Sequence, residues 1–349
     1  MKTGKNERVK MKIILDGMGG DNAPQSIIEG AVEASKLLPH EICILGPEGL
    51  ISKELSKHSY DKRKITVVNC TEVISNNDAP VKAIRRMTDS TIVKGLNMVN
   101  AGDGDCFISA GSTGALLVGG LFILGRIQGI DRPAIATVYP VVGKEAGLLL
   151  DCGANTECKP NNLLEFALMG SVYMEKVLKR KNPNVGLVNI GVEEKKGSIL
   201  YKNAHELLSK SSLNFVGNVE ARDIPQGAAD VFVCDGFTGN IILKLTEGLA
   251  GSLFSEIKRR FSDGLKAKLG AGLLRKKITG FKAEFDYTEY GGAPILGVKK
   301  PLIKMHGSSN AKAVVSGIMM AIPYVEEDVV GKIESSCLEA IALEIADAD

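Results

Sequence analysis

Four loops of this chain combine glycine with hydroxyl, amide or carboxylate side chains, and each follows a short apolar segment. They lie at residues 16–24, 109–115, 151–156 and 235–240. Each loop precedes a helix-like segment, so its backbone N–H groups add to the positive end of a helix dipole and favour anionic ligands. One such loop is common in α/β proteins. Four in one chain suggest that phosphate and a carbonyl group are bound together.

Strand-like apolar segments alternate with helix-like segments, which is the pattern of a mainly parallel sheet with helices on both faces. We therefore predict a three-layer α/β/α, Rossmann-like fold. Residues 11–349 are expected to form one interwoven catalytic domain, after an N-terminal extension over residues 1–10. The predicted strands lie at 11–16, 41–45, 65–70, 105–110, 134–139, 147–150, 185–190, 214–216, 231–234 and 302–306. The predicted helices lie at 23–38, 79–99, 113–124, 160–179 and 308–321, with a long helix from Gly239.

Open parallel sheets bind ligands beyond the carboxyl ends of their strands, so the loops should gather at one edge. A fifth loop, at 306–310, follows the last predicted strand and joins them. The polar candidates at this edge are Asp16, Asp21, Asn22, Ser109, Ser112, Thr113, Asp151, Asn155, Asp235, Thr238, Asn240, His306, Ser308, Ser309 and Asn310. The glycine candidates are Gly20, Gly111, Gly114, Gly239 and Gly307, and the lysines just behind the loops are Lys159 and Lys244.

The same loop residues have two plainer interpretations. Asn, Asp, Ser and Thr cap helices by accepting hydrogen bonds from free amides, so any single residue of the set can be a cap. Aspartates also bind Mg²⁺, usually together with substrate phosphates, and this is the alternative interpretation of Asp16, Asp21, Asp151 and Asp235. Because Asp16, Asp151 and Asp235 end strands, where aspartate often caps the next turn, we predict no metal.

The glycine-rich loops lack the sequence motifs of nucleotide-binding sites. The sequence has no Gly-x-x-x-x-Gly-Lys-Ser/Thr, and Gly17, Gly19 and Gly20 do not fit Gly-x-Gly-x-x-Gly. No dinucleotide or other cofactor is therefore expected. Cys152 is interpreted as a packed thiol, because no histidine lies in a nearby motif. His306 can donate to an anion or to a developing oxyanion, or it can make a structural hydrogen bond.

The amino-acid composition indicates which kinds of partner and which cellular compartment to expect. The 349 residues carry 43 basic and 41 acidic side chains, and a net charge of +2 says little about partners. Aromatic residues make up 5% of the chain and tryptophan is absent, which disfavours base stacking with nucleic acid. Seven cysteines occur without a Cys-x-x-Cys pair, which is typical of the reducing cytoplasm. No secretory segment is visible at the start, and the apolar stretch 115–125 is too short to span a bilayer.

Residues 250–285 depart from the α/β pattern and are predicted to form a protruding helical arm. Apolar residues recur every four positions from Leu253 to Leu273, with basic residues between them, and glycines interrupt the pattern. Two helices joined by a glycine turn are therefore expected. One interpretation is a helical pair packed on a partner subunit, and the other is a basic amphipathic surface for an anionic membrane or an acidic protein. The candidate partner-binding residues are Lys258, Arg259, Lys266, Lys268, Leu269, Leu273, Arg275 and Lys276.

Eight stretches, in this order, resemble the bacterial phosphate acyltransferase family, which makes acyl phosphates for phospholipid synthesis. They lie at 14–24, 109–115, 132–134, 151–155 with 159–160, 217–223, 234–240, 290–294 and 306–312. Two of the most specific are Cys234-Asp-Gly-Phe-Thr-Gly-Asn240 and His306-Gly-Ser-Ser-Asn-Ala-Lys312. The resemblance runs from Met11 to Ile322, nearly the whole chain. Its departures are small, since Ser112 stands where asparagine is commoner in the family and Cys152 where valine is common.

The resemblance implies transfer of a fatty acyl group from acyl carrier protein to inorganic phosphate, by a homodimer with peripheral membrane contact. Phosphate is already a mostly dianionic nucleophile at neutral pH, so the protein must orient it and stabilise the developing oxyanion. The loops at 111–114 and 306–310 are expected to hold phosphate, with Lys159 and Asn155 completing a charge clamp. Asn240, Thr238 and His306 are candidates for the carbonyl oxygen or the leaving sulfur. The basic arm would meet the acidic carrier protein or the inner membrane leaflet.

Three other functions stay open at this point. A phosphotransacetylase-like enzyme that uses coenzyme A would share the same chemistry. A metal-dependent decarboxylating dehydrogenase would need a dinucleotide site and clustered arginines, and the motifs show neither. A non-catalytic scaffold for acyl carrier protein would leave the anion-binding loops without a role.

Overall fold

The computed structural model describes residues 10–284 and 291–346, and these residues form two compact units. The first unit combines residues 10–125 with 298–325. The second combines 126–297 with the residues from 326 onward. Each unit is thus assembled from two separate segments of the chain. The single domain over residues 11–349 stays a prediction, and the extension at 1–10 lies almost wholly outside the described residues.

Short strands alternate with helices along the described chain. The strands are β1 (Lys12–Asp16), β2 (Glu41–Gly46), β3 (Ile65–Asn69), β4 (Cys106–Ser109), β5 (Ala134–Ile135), β6 (Thr137–Tyr139), β7 (Gly147–Leu150), β8 (Val185–Asn189), β9 (Phe215–Glu220), β10 (Val231–Val233), β11 (Ala293–Leu296) and β12 (Leu302–Lys304). The helices are α1 (Gln25–Leu37), α2 (Glu48–Leu55), α3 (Pro80–Arg86), α4 (Thr91–Ala101), α5 (Thr113–Gly119), α6 (Pro160–Lys176), α7 (Ile199–Lys210), α8 (Gly236–Phe261), α9 (Leu265–Glu284), α10 (Ala311–Glu326) and α11 (Val329–Ala346). A π-helical turn, Gly120–Leu124, extends α5, and a 3₁₀ helix spans Ala221–Gln226.

The first unit is built on parallel strands in the order β3-β2-β1-β4-β12. In the second unit the order is β6-β7-β10-β8-β9, with only β6 antiparallel to its neighbour, and β5 pairs antiparallel with β11. Central strands such as β1, β4 and β10 are almost wholly buried, as continuous apolar runs in covered parallel sheets should be. These mostly parallel sheets with flanking helices confirm the predicted three-layer α/β fold.

Several element boundaries differ from the sequence-based ones for local reasons. The helix predicted at 79–99 is two helices, because Ser90 accepts the Val93 N–H and starts α4 anew. The strand predicted at 134–139 is divided into β5 and β6. The long helix predicted from Gly239 begins three residues earlier, at Gly236, because Asp235 caps it. No pattern predicted α2, α7, β11 or α11.

The arm consists of α8 and α9, as predicted, and Gly264 in the turn between them has φ +83°. Gly270 and Gly272 lie inside α9 rather than in a turn. The two helices enclose a groove of about 700 Å³ lined mainly by apolar side chains, including Phe254, Ile257 and Ile278. No helix among the described residues is long and apolar enough to cross a membrane.

Close packing of α4 on β4 gives a test of the first unit's core. A Cβ added at Gly95 would lie 2.3 Å from Cε2 of Phe107, which is fully buried. Alanine gains about 1 kcal/mol of helix propensity over glycine, but overpacking a rigid core costs about 1–3 kcal/mol. We expect Gly95→Ala to lower the urea midpoint. The control is Gly49→Ala in α2, where nothing lies within 4 Å, and it should be neutral or slightly stabilising. Equal midpoints for the two variants would contradict this packing.

Candidate active site

Asp16 at the end of β1 organises the first glycine-rich loop. Its Oδ1 accepts the Met18 N–H at 3.0 Å, and its Oδ2 accepts the Ser109 hydroxyl at 2.7 Å. Ser109 Oγ in turn accepts the Gly111 N–H at 2.9 Å, which links the loops that follow β1 and β4. The Asp16 carboxyl is buried, and burial raises its pKa above the ordinary value against the opposing effect of these hydrogen bonds. Its placement favours support of the loops over contact with phosphate.

The 306–310 loop is joined to the first loop by direct bonds. The Asp21 N–H donates to the Gly307 carbonyl at 2.7 Å, and Asn22 Nδ2 donates to the carbonyls of Ser308 and Ser309 at 3.1 and 3.2 Å. A side chain at Gly20, where φ is +95°, would place Cβ 2.8 Å from the Gly307 carbonyl oxygen. The predicted loops at 16–22, 109–114 and 306–310 therefore do come together within the first unit.

His306 is one of the exposed side chains of this cluster. Its Nδ1 accepts the Ser308 N–H at 3.2 Å and lies 2.8 Å from the Ser308 hydroxyl. Because a backbone N–H donates to Nδ1, a neutral His306 carries its proton on Nε2. His306 is thus arranged as a hydrogen-bond donor through Nε2.

Neutral side chains cap the helices that begin at these loops. Ser112 Oγ accepts the Ala115 N–H at the start of α5, and Asn310 Oδ1 accepts the Ala313 N–H at the start of α10, at 3.0 Å. Ser309 is buried and its hydroxyl donates to the His306 carbonyl. Thr113 and Gly114 open α5, where a side chain at Gly114 would meet Pro80. Ser112 and Asn310 therefore cap helices, as the plainer interpretation predicted. Because both caps are neutral, their loops can still bind an anion.

In the second unit a second buried aspartate has the corresponding role. Asp151 follows β7 and accepts the N–H groups of Ile135, Ala154 and Asn155 at 2.7–3.1 Å, together with Nδ2 of Asn155 at 3.0 Å. Burial is the largest influence on its pKa and raises it. Asn155 Nδ2 also donates to the Pro133 carbonyl at 2.8 Å. Both amide hydrogens of Asn155 are therefore used internally, which disfavours its predicted place in a phosphate clamp.

The 151–155 loop holds the first turn of α8. The Gly236 N–H donates to the Asn155 carbonyl at 2.7 Å. Asp235 Oδ1 accepts the Thr238 N–H, and its Oδ2 accepts the Thr238 hydroxyl, both at 2.9 Å. Because the hydroxyl proton of Thr238 is committed to Asp235, its predicted role as a donor to the substrate carbonyl is disfavoured.

Two predicted site residues of the second unit present free polar groups. Asn240 is exposed in the first turn of α8, and its amide lies against Gly153. Lys159 is exposed at the residue before α6, where its N–H donates to Asn162 Oδ1 at 2.9 Å. Within the described residues neither side chain makes a hydrogen bond or ion pair. Lys244 pairs with Glu247 at 2.8 Å.

The cysteines near these loops are packed thiols, as predicted for Cys152. Its Sγ donates to the Leu149 carbonyl at 3.2 Å, and burial raises its pKa to about 12. Cys234 is likewise buried, and burial raises the pKa of its thiol. Thiols that stay protonated at neutral pH are poor nucleophiles. In the described part of the chain, no three His, Cys, Asp or Glu side chains cluster as metal ligands do.

Sequence reasoning missed two side chains that reach these loops. Lys304, the last residue of β12, donates through Nζ to the Ala110 carbonyl at 3.4 Å and to the Met305 carbonyl. Tyr201, in the first turn of α7, donates to Asp235 Oδ2 at 2.5 Å. The lysine could have been found as a charge at the end of an apolar strand, whereas the tyrosine lies in a helix that no pattern predicted.

The fold is that of the phosphotransacylases. It is similar to that of a phosphotransacetylase from Streptococcus pyogenes, with a TM-score of 0.61 at 18% identity over 91% of this chain and 94% of that one. A family model described as "Fatty acid synthesis protein" matches residues 11–332. Proteins named phosphate acyltransferase from Alkaliphilus oremlandii and Clostridioides difficile are 56% and 50% identical, over 91% and 92% of this chain and 95% and 94% of theirs. The chain belongs to the phosphate acyltransferase family, which confirms the predicted family and enzyme class.

The contact between α8 and the 151–155 loop can be tested at Gly239. An added Cβ there would lie 2.0 Å from the Asp151 carbonyl oxygen, so Gly239→Ala must displace the first turn of α8. We expect a loss of about 1–3 kcal/mol of unfolding free energy and at least about tenfold lower activity. Gly248→Ala in the same helix has nothing within 4 Å, so it should keep wild-type activity and be neutral or slightly stabilising. A fully active Gly239→Ala variant would show that this contact does not position the site.

Proposed function

We propose that the protein transfers a fatty acyl group from acyl carrier protein to inorganic phosphate, giving acyl phosphate for phospholipid synthesis. Membership of the phosphate acyltransferase family supports the reaction type. The observation that carries the proposal is the interlocked set of loops at 16–22, 109–114 and 306–310, of which the last two lead into helix N-termini with neutral side-chain caps. Such N-termini bind phosphate well.

In the proposed reaction a phosphate oxygen attacks the thioester carbonyl carbon directly. A C–O bond forms, the C–S bond breaks, and the carrier protein leaves as a thiolate. The buried, protonated cysteines support a path without an acyl-enzyme intermediate. The protein then contributes orientation and electrostatic stabilisation, which together are worth roughly several kcal/mol.

We assign the residues to these tasks as follows. In the first unit the loops at 111–114 and 306–310 hold phosphate. In the second unit Lys159 is an exposed positive charge near the 151–155 loop. In the second unit Asn240 is the donor for the carbonyl oxygen, because its side chain is exposed and makes no hydrogen bond within the described residues. Asp16, Asp151 and Asp235 act through the loops that they hold.

Trapping of the product tests this function. Purified protein is incubated with palmitoyl-acyl carrier protein and phosphate, without added metal, and acyl phosphate is captured as the hydroxamate. Hydroxamate should form only when phosphate is present. Asn240→Ala should lower kcat about 10- to 100-fold because one oxyanion donor is lost.

The matched control is Asn203→Ala, an exposed asparagine on α7, which should keep wild-type turnover and folding. Turnover with acetyl-coenzyme A and none with the carrier-protein donor would instead assign the protein to the phosphotransacetylase-like alternative. Unchanged kinetics of Asn240→Ala would remove that residue from the site.

We further propose that α9 is the docking surface for acyl carrier protein. Lys266, Lys268, Arg275 and Lys276 are exposed on it, and complementary charge favours encounter with an acidic partner. Arg259 on α8 is already paired with Glu256 at 2.7 Å, which makes its predicted contribution smaller.

Charge reversal on α9 tests the docking surface. Lys266→Glu with Lys268→Glu should raise KM for the acyl-carrier donor by about tenfold, leave kcat nearly unchanged and weaken the salt dependence of kcat/KM. The control is Lys53→Glu with Lys62→Glu, two exposed lysines of the first unit. An unchanged KM in the α9 variant would contradict docking there.

Peripheral membrane contact and a homodimer complete the proposal. Leu269 and Leu273 are 67% and 89% exposed, which supports insertion of α9 into a bilayer surface. The double variant Leu269→Ser with Leu273→Ser should therefore no longer co-sediment with anionic vesicles.

Exposed apolar residues recur every four positions on α8, from Phe237 to Leu253, and support burial of this helix against a second copy of the chain. A one-chain mass in light scattering would contradict the homodimer.

A further inference from the structure

The Tyr201 hydroxyl is hydrogen-bonded to Asp235, the residue that caps α8. This hydroxyl lies 2.5 Å from Asp235 Oδ2, 3.4 Å from Thr238 Oγ1 and 3.4 Å from the Asp235 backbone nitrogen. The Thr238 hydroxyl donates to the same Oδ2 at 2.9 Å. Two hydroxyl protons therefore converge on one carboxylate oxygen, while the other oxygen accepts the Thr238 N–H.

The sheet of the second unit explains why Tyr201 reaches this point. Strand β8 is hydrogen-bonded to β10, so the segments that follow the two strands leave the sheet side by side. Gly197, with φ +87°, precedes α7, and an added Cβ there would lie 2.5 Å from Asn189 Oδ1 and 3.0 Å from Tyr201 Cβ. This close turn sets the first residues of α7 against the end of β8. Tyr201 then points at the cap of the helix that follows β10.

The hydroxyl of Tyr201 is a permanent donor. The side chain is half-buried, and burial raises the pKa of the phenol far above its ordinary value, so the proton stays in place throughout the neutral range. A hydrogen bond from a neutral hydroxyl to a carboxylate is stronger than one between neutral groups. The orientation of the Asp235 side chain is thus fixed by Tyr201 from one side and by Thr238 from the other.

We propose that Tyr201 is a positioning residue of the acyl transfer reaction, which acts through Asp235 on the first turn of α8. That turn carries Asn240, the donor assigned above to the carbonyl oxygen, so the inference rests on the proposed function. Tyr201 itself does not touch substrate. Its loss lets the Asp235 carboxylate rotate, loosens the cap at Thr238 and misplaces Asn240 in the transition state.

The test compares two tyrosines that each reach a threonine of α8. Tyr201→Phe removes the hydroxyl beside the site, whereas Tyr139→Phe removes one that lies 2.8 Å from Thr246 Oγ1, farther along the same helix. Both changes keep the ring and remove the hydroxyl with its hydrogen bonds, so a decrease in Tm is expected for both variants. Tyr201→Phe should lower kcat by about tenfold or more with KM values within about threefold, and Tyr139→Phe should keep kcat within about twofold. A merely structural role would give the same kcat for both variants and overturn the inference.

A double-mutant cycle shows whether Tyr201 acts through Asp235. Asp235→Asn alone should lower kcat, and adding Tyr201→Phe should change it no further than about twofold. Multiplicative effects would overturn the proposed route. If Tyr201→Phe does not fold, Thr238→Val replaces it, since this variant removes the other hydroxyl donor to Oδ2 and should give the same kcat loss. If the wild-type protein makes no acyl phosphate, the proposed function is contradicted. If the wild type is active and Tyr201→Phe is equally active, only the inference about Tyr201 is contradicted.

Discussion

Each compact unit of this protein depends on one buried aspartate that collects the backbone amides of a loop. Removing a carboxylate from water costs several kcal/mol unless hydrogen bonds replace the lost solvation. Asp16 and Asp151 obtain those bonds from the chain that immediately follows them and from a neighbouring strand or loop. The same bonds that make burial tolerable therefore fix the conformation of the loops. A substrate site made of backbone amides needs such fixed loops, because unordered donors would have to be ordered during the reaction.

This arrangement divides the polar residues of the loops into two groups. Carboxylates and amides with filled hydrogen bonds, such as Asp151 and Asn155, hold the backbone. Exposed side chains such as Asn240 and Lys159 make no hydrogen bond or ion pair within the described residues, so their donors remain available to a ligand. Their chemistry matches a reaction whose nucleophile arrives already charged, since none of them has to be activated as a nucleophile.

Apolar segments and glycine were enough to predict the α/β fold, the two helices of the arm and the approximate ends of most strands, although β11 was missed and β9 was predicted too short. The contact between the 16–22 and 306–310 loops also follows from parallel strands that end at one edge. Hydrogen-bond direction could not be predicted in this way. Whether Thr238 offers a proton or a lone pair depends on Asp235 beside it, and Asn155 loses its donors to Pro133 and Asp151. The contact of Tyr201 with Asp235 could not be predicted for another reason. Helix α7 contains no recognisable motif, and it reaches the site only because β8 pairs with β10.

The caps of the helices bear on which loops hold phosphate. Asp235 places a carboxylate at the N-terminus of α8, where it offsets the positive end of the helix dipole and repels a dianion. Ser112 and Asn310 cap α5 and α10 with neutral groups, which leave those N-termini positive. A thioester carbonyl is neutral until the transition state, so it tolerates a charged cap nearby better than phosphate does. On electrostatic grounds the neutral caps suit phosphate, and the first turn of α8 suits the carbonyl oxygen, where Asn240 supplies a donor without a full charge.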